Sequence, residues 1–361
     1  MKKILTVIGA RPQIIKSAAL SRAISQRYSD RIEQVIVHTG QHYDTLMSSV
    51  FIDELGIPAP RYNLAIGSGT HAWQTAHMLT SIADTLNIEH PDGVVVYGDT
   101  NSTLAGALAA SKMLIPVFHI EAGLRSFNRA MPEEQNRIVA DHLATRLYAP
   151  TQTALDNLSH EGLLSRTLLS GDIMLDNTLF YTRQASQSDI LARYGLSSDA
   201  YILATIHRDF NTDHRQRLTS VIEALGQLAS AHHIPVVLPL HPRTRKQIEL
   251  FSIPIPSGLS LIPPVSYLEM LALENHSLLV VTDSGGVQKE AFFVGKPCII
   301  LRPETEWKEI VDAGAALLAD TDAQRIDQSY RLLTSRPLPH PPLFGDGHAS
   351  EAILDDILQH L

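Results

Sequence analysis

The chain has 361 residues, one cysteine and a net charge of −9, with 44% hydrophobic residues. Its length favours two domains, each with its own core, and no apolar run reaches the length of a membrane span. A single thiol forms no internal disulfide and fits a reducing cytoplasm, while the acidic balance without a long basic run speaks against nucleic acid as a partner. Seventeen histidines invite a metal reading, but their spacings do not give the compact ligand pairs of a zinc site, so no metal is expected.

The N-terminus turns polar too soon for a signal peptide and reads as a first strand over residues 3–8. Gly9-Ala-Arg-Pro12 follows, and proline suits the first turn of a helix. That places Arg11 in the loop before the helix and Lys16 one turn inside it, a pattern that a solvated helix start would show equally well. The glycines do not spell GxGxxG, so no nicotinamide or flavin cofactor is indicated. A second strand ends at His38 and runs into the polar loop of Gln41, His42 and Tyr43. Gly67–His71 is a flexible loop before a helix over about 72–86.

Gly93-Val-Val-Val-Tyr97 is a buried strand that stops at Gly98-Asp99-Thr100, followed by a small-residue helix to Ser111. Leu114–Phe118 reads as the next buried strand and delivers His119-Ile-Glu-Ala-Gly-Leu-Arg125. Open α/β sheets place their ligands at the carboxyl ends of strands, so Asp99 and Glu121 are expected on one rim. Glu133 opens a helix after Pro132, with Asn136 and Arg137 one turn along.

Ser170–Met174 reads as a turn before a polar helix over 184–194. The boundary is set there, giving an N-terminal domain of residues 1–172 and a second domain of residues 173–349. The second half repeats the strand–helix rhythm over 200–206, 235–239, 260–262, 278–282 and 297–301. Residues 337–342 form an extended loop, and Gly345-Asp-Gly-His-Ala349 caps a last helix over 350–361.

Thr282-Asp-Ser284-Gly285-Gly286 ends a strand and opens a helix, where free N–H groups and the dipole suit a phosphate or pyrophosphate. A plain glycine-rich turn is the competing account. Glu290, four residues on, is placed to accept from ribose hydroxyls. His207-Arg208 and His241 close other strands of the same half and suit a charged ligand. Arg302 follows the last well-marked strand, with Glu304 or Glu306 lining the cleft. Spacing alone supports a two-domain nucleotide-sugar protein.

In this order, Gly9-Ala-Arg-Pro12 with Lys16, Gln41-His42, Gly98–Thr100, His119–Arg125, Pro132–Arg137, His207-Arg208, Thr282–Gly286 with Glu290 and Gly345–Gly347 resemble the non-hydrolysing UDP-N-acetylglucosamine 2-epimerase family. The resemblance implies an α/β fold of two Rossmann-like, doubly wound parallel-sheet domains facing a cleft (GT-B-like). It also implies a homodimer and a C-terminal helix that packs back on the first domain. It implies no cofactor, and a reaction in which UDP leaves and re-adds through a glycal.

By the same resemblance Asp99, Glu121 and Glu133 are the acid–base candidates, without an order among them. His207 and Arg11 hold the diphosphate, and Lys16 and Arg137 support the site. Gln41, His42 and Arg208 match parts of a second, allosteric nucleotide site. Gln13, Tyr43, Gly67–His71 and Ser126–Met131 depart from the commonest pattern. They look like the branch that acts on UDP-2,3-diacetamido-2,3-dideoxy-D-glucuronate for lipopolysaccharide O-antigen synthesis. Arg129, in the last of these segments, is the candidate partner of that sugar's carboxylate. UDP-N-acetylglucosamine is the alternative substrate, and a GT-B glycosyltransferase, a hydrolysing epimerase and a non-catalytic sensor are the competing classes.

Overall fold

A computed structural model describes residues 1–41 and 52–361, so His42 and Tyr43 lie outside the described residues. The chain gathers into two compact units, residues 1–177 with 342–361, and residues 178–341.

In the first unit seven parallel strands run in the order β3-β2-β1-β4-β5-β6-β7 among the described residues. They are β1 Lys2–Ile8, β2 Ile32–His38, β3 Tyr62–Asn63, β4 Gly93–Tyr97, β5 Val117–Ile120, β6 Arg146–Ala149 and β7 Thr167–Leu169. Every residue of β4 and β5 is buried, as expected for strands covered by helices on both faces. Val7, Val94, Val96, Val117 and Leu147 form the centre of one core. The strand order reverses between β1 and β4, which makes the loops after them the switch point where such sheets bind ligands. Tyr97 pairs with Ile120, so the residues that follow, Gly98 and Glu121, leave the sheet side by side.

The second unit has six parallel strands in the order β10-β9-β8-β11-β12-β13. These are β8 Ile202–Thr205, β9 Val236–Pro239, β10 Leu259–Ile262, β11 Leu279–Thr282, β12 Cys298–Ile300 and β13 Ala316–Leu318. The reversal falls between β8 and β11, and Thr205 pairs with Thr282. The loop at His207 and the helix start at Gly285 therefore leave neighbouring strand ends.

Three sequence expectations are corrected here. Leu114 is 92% exposed with φ +58°, so it ends a helix and does not begin β5. Its left-handed backbone is the helix-terminating conformation. The helix expected over 184–194 is instead Ile173–Ala185, with a separate short turn at Ile190–Arg193. Asp172 Oδ1 accepts from Met174 N at 2.8 Å and so favours the earlier start. The last helix, Ala349–His360, has no cap from its own preceding residue, His348. Its cap comes from Asp176, which accepts from Ala349 N (3.1 Å), Ser350 N (2.7 Å) and Ser350 Oγ (2.6 Å).

That last helix buries Ile353, Leu354 and Ile357 fully. Asp356 receives a two-pronged bond from Arg146 (2.9 and 2.6 Å) and another from the Tyr148 hydroxyl (3.0 Å). Tyr28 donates to Asp355 at 2.9 Å. The C-terminal segment is therefore an integral layer of the first unit.

Candidate functional site

On the first unit the site is built around the turn at Gly98. Gly98 takes φ +61°, and a Cβ there would lie 3.0 Å from Glu121 Oε2 and 3.4 Å from Lys16 Nζ. A side chain is thus disfavoured by the backbone conformation, and it would crowd the Lys16–Glu121 pair. Glu121, also left-handed at φ +66°, pairs with Lys16 in a setting where both side chains are about nine-tenths buried (10% and 8% exposed). A non-glycine residue at positive φ stores strain, a feature that gathers at functional sites. Asp99 pairs with Arg137, and its backbone oxygen accepts from Asn136 Nδ2 at 2.9 Å. Arg137 also bonds Glu134 at 2.8 Å, one helical turn back.

The helix Pro132–Leu143 presents two neighbouring carboxylates in different roles. Glu134 is buried, and its oxygens accept from Ser126 N (2.8 Å), Ser126 Oγ (3.0 Å) and Phe127 N (2.9 Å). Burial alone would raise its carboxyl, but those bonds and Arg137 bring it below the ordinary glutamate value. Glu133, half-buried, has no hydrogen-bond partner among the described residues. The segment 126–131 is fastened by Glu134 and by Gln135 Nε2, which donates to Arg129 O at 2.9 Å. On it the Arg129 side chain stays exposed.

Gln13 is buried and uses its whole amide. Its oxygen accepts from Gly9 N (2.9 Å) and Ala10 N (3.1 Å), and its nitrogen donates to Tyr97 O and Thr103 Oγ1, both at 2.9 Å. The loop after β1 is thereby tied to the end of β4. Arg11 is the first residue of the helix Arg11–Ala23, not a loop residue as expected, and is exposed. Gln41 accepts from Ser102 N (3.1 Å) and Ser102 Oγ (2.7 Å).

On the second unit Ser284 caps the helix Gly285–Phe293. A Cβ built on Gly286 would meet nothing nearer than Ser284 Oγ at 3.8 Å, and one on Gly285 would lie 3.5 Å from Trp307 Nε1, 3.7 Å from Glu306 Oε2 and 3.8 Å from Arg208 Nη2. The protein itself leaves room at both glycines. Bare backbone at a helix start is what a close-lying anion needs.

Asp283, fully buried, accepts from His207 N (3.1 Å), Arg208 N (3.1 Å) and Asn211 Nδ2 (3.0 Å), and lies 3.5 Å from His207 Nδ1. It sets the His207 loop against the helix start. Arg302 clamps Glu306 with bonds of 2.8 and 3.0 Å. Burial would raise Glu306, but Arg302, with Arg208 adding, holds it below the ordinary value.

Glu290 is buried beside Tyr267, whose phenol is pushed up first by burial and then by the Glu290 charge. His241, exposed, caps its own helix by accepting from Arg243 N at 3.3 Å.

The structure therefore brings Lys16, Asp99, Glu121 and Arg137 together at one sheet edge, with Glu133 at the start of the adjoining helix. Arg208, Ser284, Gly285, Gly286, Arg302 and Glu306 gather at another edge, in the second unit. Sequence reasoning missed Glu134, the buried Asp141, which meets His119, Gly123 N and Arg125, and the anchoring part of Asp283. Adjacent glutamates gave no sign of which faced inward, although the Glu134–Arg137 spacing is the ordinary signature of a helical pair.

Two doubly wound sheets, one edged by paired carboxylates and the other by an open helix start, define a nucleotide-sugar enzyme of the GT-B-like class. The chain belongs to the UDP-N-acetylglucosamine 2-epimerase family, whose sequence profile matches residues 24–358. It is a UDP-sugar 2-epimerase, an isomerase.

Among its relatives, the UDP-2,3-diacetamido-2,3-dideoxy-D-glucuronate 2-epimerase of Pseudomonas aeruginosa is 49% identical over 357 residues, 98% of each chain. The UDP-N-acetylglucosamine 2-epimerase of Methanocaldococcus jannaschii is 40% identical over 360 residues, again 98% of each. The crystal structure of that archaeal enzyme in complex with UDP-GlcNAc and UDP superposes with a TM-score of 0.89 and covers 100% of both chains.

Proposed function

We propose that the enzyme interconverts UDP-2,3-diacetamido-2,3-dideoxy-D-glucuronate and its manno epimer at C2 without net hydrolysis. The observation that carries the reaction is the pair of carboxylates at the Gly98 turn, Asp99 with Arg137 and Glu121 with Lys16, together with Glu133, which has no hydrogen-bond partner among the described residues. The C2 proton has no neighbouring carbonyl and is barely acidic. Breaking the C1–O bond first, or in concert, places positive charge at C1 and makes that proton removable.

One carboxylate takes the C2 proton, and UDP leaves with the C1–O electron pair. A C1=C2 double bond remains, a 2-acetamidoglycal. A second acid returns a proton to the opposite face of C2, and UDP adds back at C1. Two acid–base groups on different faces are needed, and three candidates are present.

In this reading the diphosphate takes the backbone N–H groups at Gly285 and Gly286, with His207 and Arg11 supplying positive charge and donors. Ser284, Glu290, His241, Arg302 and Glu306 shape the UDP-sugar site around it. Arg129, exposed on a braced segment, pairs with the sugar carboxylate. The substrate choice is supported by the relative that is 49% identical along nearly the whole chain. Gln41 and Arg208 are the described remnants of the second nucleotide site. A homodimer, a cytoplasmic location and a role in O-antigen synthesis complete the reading. No helix among the described residues is long and apolar enough to cross a membrane.

The test offers the purified enzyme both UDP-2,3-diacetamido-2,3-dideoxy-D-glucuronate and UDP-N-acetylglucosamine and compares kcat/KM. Faster turnover of the uronate is expected. Faster turnover of UDP-N-acetylglucosamine would transfer the assignment to that sugar.

A further inference from the structure

His119 lies in β5 without solvent exposure, its ring held between two acceptors. Nδ1 is 2.7 Å from Asp141 Oδ1, and Nε2 is 2.7 Å from the carbonyl oxygen of Gly98. The ring thus bridges the helix Pro132–Leu143 to the Gly98 peptide. We infer that His119 is a positioning residue for the acid–base turn.

Asp141, from the helix Pro132–Leu143, also accepts from Gly123 N at 3.1 Å and pairs with Arg125 at 2.7 Å. Arg125 in turn pairs with Glu161 at 2.7 Å, and Glu161, 27% exposed, also faces His142 at 3.9 Å. Asp141 is thus held by Gly123 and Arg125 and offers His119 a fixed partner.

The consequence for catalysis runs through one peptide. Gly98 N donates to Ile120 O at 2.9 Å, and Gly98 O accepts from His119 at 2.7 Å, so both faces of the turn are fixed to β5. The next residue is Asp99, and the Gly98 Cα faces the Lys16–Glu121 pair. Any drift of this turn displaces Asp99 and presses on Glu121. The inference rests on the epimerase reading for its effect on turnover, but the hydrogen bonding of the ring does not depend on that reading.

The test has two parts. Full-length enzyme labelled with 15N-histidine is measured by NMR, and the His119 ring is assigned through its own backbone. A ring N–H protected from exchange with solvent is expected, and a freely exchanging ring would overturn the inference on the wild-type protein alone, whether or not a variant folds.

In the second part, His119→Gln and Asp141→Asn are compared with wild type. The expected result is a kcat reduced about 100-fold, deuterium entry at C2 reduced in step, and UDP affinity by calorimetry within about threefold of wild type. Wild-type kcat, or a UDP affinity that falls as far as kcat, would overturn the positioning role. Wild-type enzyme that epimerises neither sugar nucleotide would instead overturn the functional reading and leave the NMR result standing.

Discussion

Arg129 and Lys16 are both cations beside acidic chemistry, yet their settings assign them different work. Arg129 is exposed on a segment held by other side chains, so its removal leaves the fold intact. Arg129→Ala is expected to lower kcat/KM on the uronate substrate about 10- to 100-fold, the worth of one charge-assisted bond, and to leave UDP-N-acetylglucosamine turnover unchanged. Equal losses on both substrates would remove Arg129 from carboxylate recognition. Lys16 is buried with Glu121, and Lys16→Met leaves a carboxylate without its cation. That is expected to cost about 3–5 kcal/mol in denaturant unfolding, with activity abolished, whereas an unchanged unfolding midpoint would show that the pair carries no stability. Asp99 and Glu121 were legible because each stands within two residues of the end of a buried strand. Glu134 and Asp141 were not, because their partners, Ser126, Phe127, His119 and Arg125, come from segments whose approach no local pattern encodes.

At the scale of elements, the strands announced themselves as short runs of valine, isoleucine and leucine, and the parallel order followed from the alternation with helices. The helix Ile173–Ala185 and the cap of the last helix did not. Asp176 caps a helix that begins 173 residues later, so no capping signature near Ala349 exists to be read. Asp176→Ala removes three bonds at that helix start and is expected to destabilise the first unit by about 1 kcal/mol. Urea unfolding followed by circular dichroism checks this, and faster proteolysis after residue 341 is the accompanying result. Asp176→Asn, which keeps one acceptor, is expected to fall between the two.

For the whole molecule, the carboxylates that are buried and well paired set the response to acid. Asp141 and Glu134 both lie below their ordinary values in the folded chain. Burial opposes this, but His119 and Arg125 outweigh it for Asp141, and Ser126, Phe127 and Arg137 for Glu134. Carboxyls depressed by folding contribute stability that is present above the unfolded value, about pH 4, and is lost as pH falls through the folded value. Thermal midpoints are therefore expected to drop as pH falls below about 4, with a shallower slope in Glu134→Gln. A variant slope equal to that of the wild type would remove Glu134 from the acid response.

The division into two sheets was legible from length and rhythm, while the reaction itself was legible only through the family resemblance that the motif residues carry. The most direct test of the central claim, that the first unit's carboxylates exchange the C2 proton of a UDP-sugar with no net loss of UDP, is incubation of the uronate sugar nucleotide in deuterated water followed by NMR. The account predicts deuterium at C2 of both epimers with UDP still attached. Free UDP accumulating in step with free sugar, or epimers that retain the original proton, would contradict it.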